Sequence, residues 1–279
     1  LFRRFLDLFI YSNIFIAFCA VAMVYQCYQL VIRQPANTNL LCFVLFATLS
    51  SYSFHWYLTS HSEVASDRIE WTNHHRYVHT ILFVVGAAGT AFYFFPLIQS
   101  WPWLILSAVI TFLYSAPKIP QKYFRALRQV AVGKTVFLAF VWMYATTILP
   151  VIISGKHWTP DVIFYILSRF FLVYAICILF DYRDRKDDKA AGIRSMITYF
   201  SETGVDRLFF ISLSVYAASS LMLLRYDYSM KSVYFLLIPG GVTGLVYKSG
   251  KRRLDDLFFY FLLDGLMMLS SLLMIIFGI

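Results

Sequence analysis

The chain is short of charge. Only 14% of its 279 residues are Asp, Glu, Lys or Arg, and only 15 are acidic. Soluble domains carry about 25% charged residues. A soluble globular protein and a solvated disordered chain therefore both fit poorly. Cysteine is scarce as well. The four, Cys19, Cys27, Cys42 and Cys177, sit inside apolar runs and form no C-x-x-C pair. That argues against a disulfide scaffold or a thiolate metal site, and they read as small buried hydrophobes. No linker, low-complexity tract or polar segment of domain size interrupts the sequence, so residues 1–279 read as a single domain.

What the sequence does have is apolar surface. The set AVILMFWYC makes up 60% of it, aromatics make up 19%, and mean hydropathy is +0.67. This composition predicts an all-α, polytopic membrane protein, with many Phe and Tyr facing lipid or lying at the interfaces. A bilayer core of about 30 Å needs about 20 apolar residues in a helix. Nine stretches qualify: Leu8–Ile32, Leu40–Leu58, Tyr77–Ile98, Trp101–Tyr114, Val130–Ile153, Val162–Phe180, Leu208–Leu224, Ser232–Tyr247 and Leu257–Phe277. The fourth is short and is followed by Pro117. The opening LFRRF and the apolar run behind it resemble a signal peptide in outline. The run is too long for one and no A-x-A site closes it, so it reads as the first span.

The basic residues orient these spans. With the N-terminus in the cytoplasm, five of the 24 Lys and Arg fall in the membrane or beyond it: Arg33, Lys156, Arg169, Arg225 and Lys231. All the others fall on the cytoplasmic side, as the positive-inside rule requires. This distribution accounts for the net charge of +9 without a nucleic-acid partner. It predicts an integral membrane protein with its C-terminus on the opposite side, in a bacterial cell in the inner (plasma) membrane. The loops after the second, fourth and sixth stretches carry most of the polar chemistry, so a site facing the cytoplasm is expected.

The most informative segment is ILFDYRDRKDDKAAGIRS, residues 178–195. Asp181, Asp184 and Asp188 are spaced i, i+3 and i+7. At about 100° per residue, Asp188 lies about 20° and Asp184 about 60° from Asp181, so the three carboxylates share one helix face. Like charges that close repel unless a cation neutralises them. Mg²⁺ takes a few carboxylates plus water and phosphate oxygens. The bland alternative is a solvated segment whose acids pair with the interleaved Arg183, Arg185, Lys186 and Lys189.

The segment resembles the second aspartate-rich motif of the UbiA superfamily of intramembrane prenyltransferases. That motif reads D-x-x-D-x-x-x-D followed by a small-small-G-I-[RK]-[ST] run. Asp181, Asp184 and Asp188 match its acids, and Ala190, Ala191, Gly192, Ile193, Arg194 and Ser195 match the run. Tyr114-Ser115-Ala116-Pro117-Lys118 is similar to the family's Y-S-x-P element, whose Tyr and Lys contact a diphosphate. The resemblance implies a nine-helix bundle around a central cavity and Mg²⁺ held by Asp181, Asp184 and Asp188. It implies transfer of a prenyl group from a polyprenyl diphosphate to a lipophilic or aromatic acceptor. Tyr114, Lys118, Arg125 and Arg128 would hold the diphosphate, with Arg194 assisting.

One family element is missing. The first acidic motif, N-D-x-x-D-x-x-x-D at the end of the second helix, meets SSYSFHWYLTSH at residues 50–61, with no carboxylate. The nearest acids are Glu63, Asp67 and Glu70. His55 and Tyr57 stand where the motif belongs and are candidates to hold phosphate or acceptor by hydrogen bonds. Two further readings follow from the loss: a non-catalytic lipid-diphosphate-binding or scaffolding subunit of a membrane complex, and a terpene cyclase on the same fold. His61, His74, His75 and His79 complete a local cluster, and His75 and His79 have metal half-site spacing. A di-iron oxidase of the His-box type needs about eight histidines, and the chain has six. Lys134, Arg169 and Asp264 are charges within spans. Lys134 is placed to snorkel, Asp264 to pair with a cation, and Arg169 reads as structural.

Overall fold

A computed structural model describes residues 2–59, 66–116, 134–190, 199–252 and 255–278, without the side chains of 2, 4 and 186–190. Among the described residues every regular element is helical. The first expected span is divided. Helix α1 is Phe2–Tyr11, and α2 starts at Ile14 rather than Leu8 and reaches Ile32, its last turn widened to a π-helix at Tyr28–Ile32. Asn13 makes the break, with φ 69°. Asparagine tolerates this left-handed conformation better than most residues, and an isolated Asn in an apolar run gives no periodic signal.

The remaining elements are α3 (Thr38–Thr59), α4 (Asp67–His74), α5 (Arg76–Phe94), α6 (Trp101–Ser115), α7 (Lys134–Ile153), α8 (Pro160–Ala190), α9 (Glu202–Met222), α10 (Met230–Gly250) and α11 (Phe258–Ile276). Among the described residues, eight helical stretches are long and apolar enough to cross a membrane. One of them, Arg76–Ser115, has 40 residues. As a straight rod it would measure about 60 Å, twice a bilayer core. It folds back instead. Phe83 on α5 packs against Phe54 with ring centroids 5.6 Å apart, and Tyr114 on α6 stacks on the neighbouring His55 at 5.4 Å. The reversal lies at the 3₁₀ segment Phe95–Ser100, which contains Pro96 and is followed by Pro102. The two arms correspond to the third and fourth expected spans.

Burial ranks the helices. In their apolar windows α8 is 72% buried and α2 67%, whereas the α5–α6 hairpin is 11% buried. The first two form the centre, and the hairpin is a peripheral panel. It attaches through α3, where Gly86 lets the α5 backbone approach the backbone of Phe46 and Ser50. Arg169 is fully buried in α8 and donates from Nη1 to Gln26 Oε1 on α2 (3.1 Å) and Ser270 Oγ on α11 (3.2 Å). It ties three helices together, in keeping with a structural role.

Candidate functional site

The expected acids lie at the C-terminal end of α8. This helix starts with Pro160, whose missing N–H costs nothing in a first turn. Its 31 residues span about 46 Å, so its last turns emerge from the apolar layer. Asp181 is buried and accepts a hydrogen bond from the Thr135 hydroxyl at the start of α7. Asp184, one turn on, is 39% exposed and accepts from Arg183 Nε at 2.9 Å. Asp188 belongs to the same helix, and its side chain lies outside the described residues.

The end of α6 faces this region. The Tyr114 ring stacks on His55 with the two planes 14° apart, and His55 Nδ1 lies 3.3 Å from the Ser115 hydroxyl. Lys134, Asp181 and Asp184 are all within electrostatic reach of Tyr114. Tyr114 and His55, from α6 and α3, thus form one stack, with Asp181 and Asp184 of α8 within electrostatic reach of its tyrosine. Tyr57 is 40% exposed and carries Arg76 over its ring at 4.8 Å. Lys118, Arg125, Arg128 and Arg194 lie outside the described residues.

Sequence reasoning missed the residue that fills the neighbouring space, Arg68. It is placed by α4, a two-turn helix with its own local signals. Ser66 is its N-cap and accepts from Ile69 N at 3.2 Å, and Asp67 and Glu70 lie in its first turn, where acids suit the helix dipole. Arg68 is the second helical residue. Its backbone N–H, which no turn within α4 can satisfy, donates to Asp256 Oδ2 at 2.8 Å. Its side chain is 3% exposed. The guanidinium lies 3.9 Å from the Trp56 ring centroid and 4.1 Å from that of Tyr260. Its Nη2 donates to Asn13 Oδ1 at 2.6 Å, and Asn13 also lies within reach of Ser53 and His79.

Arg183 lies against the same tyrosine. Its carbon Cζ is 4.9 Å from the Tyr260 ring and 4.7 Å from the Phe259 ring, and its Nη2 donates to the Tyr260 hydroxyl at 2.8 Å. Phe259 and Tyr260 are consecutive, and both meet Arg183. They belong to the π-helical first turns of α11, Phe258–Leu263. Asp256 lies 3.7 Å from Arg183 Nη1. Burial pushes the Asp256 carboxyl up, against the downward pull of the Arg68 N–H bond and of the two guanidinium charges. Burial likewise pulls Arg68 down, opposed by Tyr260, Asp264 and Asp256.

Asp264 is within electrostatic reach of both Arg68 and Arg183, the cationic surroundings that its sequence position called for. The histidines make no metal box among the described residues. His74 and His75 each bond a backbone carbonyl one turn back at 2.9 Å, and His79 is buried beside Asn13. No group of three or more His, Cys, Asp or Glu able to hold a metal occurs among the described residues. Asp181 and Asp184 offer hard oxygen donors one turn apart, which fits Mg²⁺ binding through one or two carboxylates and a ligand phosphate.

The UbiA prenyltransferase family model matches residues 59–263. No curated protein and no solved structure matches the chain.

Proposed function

Because the chain belongs to the UbiA prenyltransferase family, we propose that it is an intramembrane prenyltransferase. It transfers a prenyl group from a polyprenyl diphosphate to a lipophilic or aromatic acceptor. The observation that carries this reading is the meeting of Asp181 and Asp184 with the Tyr114–His55 stack at one end of the bundle. Mg²⁺ suits this place, held by Asp181, Asp184 and Asp188. When bound it supplies Lewis-acid neutralisation of the diphosphate oxygens.

The chain's own groups do the rest. Thr135 fixes the Asp181 carboxylate in one orientation. The Tyr114 hydroxyl donates to a diphosphate oxygen while His55 holds its ring. Lys118, Arg125, Arg128 and Arg194 add positive charge where pyrophosphate departs. The prenyl tail extends into the apolar bundle, where water is excluded. The α5–α6 fold-back supports nine crossings. The excess of Lys and Arg on one side supports a site that faces the cytoplasm, with the N-terminus there and the C-terminus opposite.

A second reading has one observation in its favour. Arg183 already occupies an oxygen of Asp184, as it would in a lipid-diphosphate-binding relative without turnover. The test is Mg²⁺-dependent pyrophosphate release from a length series of polyprenyl diphosphates, with and without membrane lipid extract. Release that needs the extract supports the transferase, and the new lipid product identifies the acceptor. Release without extract points to a cyclase. Donor binding with no release from folded protein favours the non-catalytic relative.

A further inference from the structure

Beside the acids lies a ladder of alternating rings and cations: Trp56, Arg68, Tyr260, Arg183 and Phe259. It draws on α3, α4, α11 and α8. Its two guanidiniums are unequally matched by acids. Arg183 bonds Asp184 and faces Asp256. The Arg68 guanidinium makes its hydrogen bond to a neutral amide, Asn13, while Asp256 takes the Arg68 backbone N–H instead. Among the described residues, Arg68 Nε and Arg183 Nη1 are buried without a hydrogen-bond partner. Arg183 Nη1 still has the Asp256 carboxylate at 3.7 Å, whereas Arg68 Nε is a charged donor left unmade, which is costly and points to a missing acceptor.

That acceptor must be anionic, compact and rich in oxygen, because guanidinium forks match carboxylate and phosphate geometry. It must also reach the acids of α8, since Arg183 adjoins Asp184. Asp181 and Asp184 supply carboxylates for one metal ion, and Arg68 and Arg183 bring buried positive charge beside them. We propose that Arg68 is a fixed cation for the diphosphate, so that one divalent ion on the α8 acids and the Arg68–Arg183 pair together grip it. This inference rests on the prenyl diphosphate reading. It adds a residue, Arg68, and a metal count.

The experiment uses the full chain purified in detergent, with inorganic pyrophosphate as the probe. Calorimetry gives its affinity at saturating Mg²⁺, and Mn²⁺ electron paramagnetic resonance counts the ions bound with it. We expect one Mn²⁺ per chain. Arg68→Gln should weaken pyrophosphate binding about tenfold to hundredfold, the range for losing a charged hydrogen bond, and Arg68→Lys should restore part of it. Two Mn²⁺ per chain would overturn the inference, as would unchanged affinity in a folded Arg68→Gln protein. If that variant does not fold, the ion count on the unaltered chain still decides. Asp181→Asn separates the two levels of argument. Binding lost there but kept in Arg68→Gln refutes the role of Arg68 alone, whereas no binding by the unaltered chain refutes the diphosphate reading as well.

Discussion

Replacing Gly86 by alanine adds one methyl group at a backbone-to-backbone contact between α3 and the peripheral hairpin. The new Cβ would lie 2.7 Å from Ser50 N and 2.9 Å from both Phe46 O and Ser50 Cα. All three are backbone atoms of α3, so no rotamer change relieves the clash. The helices must part by roughly 0.7 Å, the gap between 2.7 Å and the 3.4 Å where ordinary contact begins. Overpacking of this kind costs about 1–3 kcal/mol. Alanine also favours a helix over glycine by about 1 kcal/mol, which hides part of the cost. Gly241 on α10 supplies the correction, because a Cβ there meets nothing within 4 Å. Gly241→Ala therefore reports the propensity gain alone. Thermal melting of both variants in one detergent should place Gly86→Ala below Gly241→Ala by about 2–4 °C per kcal/mol of clash. Equal melting temperatures would refute the close approach of α3 and α5.

Other expectations follow from the site. Asp184→Asn should abolish Mg²⁺-dependent pyrophosphate binding by calorimetry, and unchanged binding would remove Asp184 from the site. Thr135→Val removes the donor that holds Asp181, so pyrophosphate affinity should fall about tenfold while the protein stays folded; thermal melting and calorimetry together check this. Asp256 should give stability an acid-side dependence. Its folded-state pKa is raised by burial, so the folded chain binds that proton more tightly. Its contribution to stability is then largest below the ordinary carboxylate range and declines as pH rises from there through the folded-state value. Asp256→Asn should flatten that decline in a series of melts across acid pH, and a slope equal to that of the unaltered chain would refute the assignment.

Much of this was legible in the sequence because membrane spans declare themselves by length and apolarity. The helical class and the α8 acid face could be read from composition and spacing. The break at Asn13 could not, since it depends on a buried polar side chain finding Ser53, His79 and Arg68. The widened turn at Phe258–Leu263 is equally silent, because a π-helix keeps the same apolar residues and changes only which of them face inward. Arg68 was hidden most completely. In sequence it is one cation in a polar loop, to be counted toward orientation. The cap at Ser66 was the available signal for a helix there, but nothing local names Trp56, Tyr260 and Asp256 as its surroundings.

Those surroundings have a bearing on how the protein is made. Arg68 and Asp256 are 188 positions apart in the chain, and Tyr260 lies further still. Translation delivers the helices in chain order, and α1 to α4 are made while α11 is still unmade. A chain halted at the end of α10 would contain every acid of α8 and the whole α5–α6 hairpin. It would lack the carboxylate that caps α4 and one of the two rings that hold its arginine. The surroundings of Arg68 thus close only once the chain has been made as far as Tyr260, long after α4 itself.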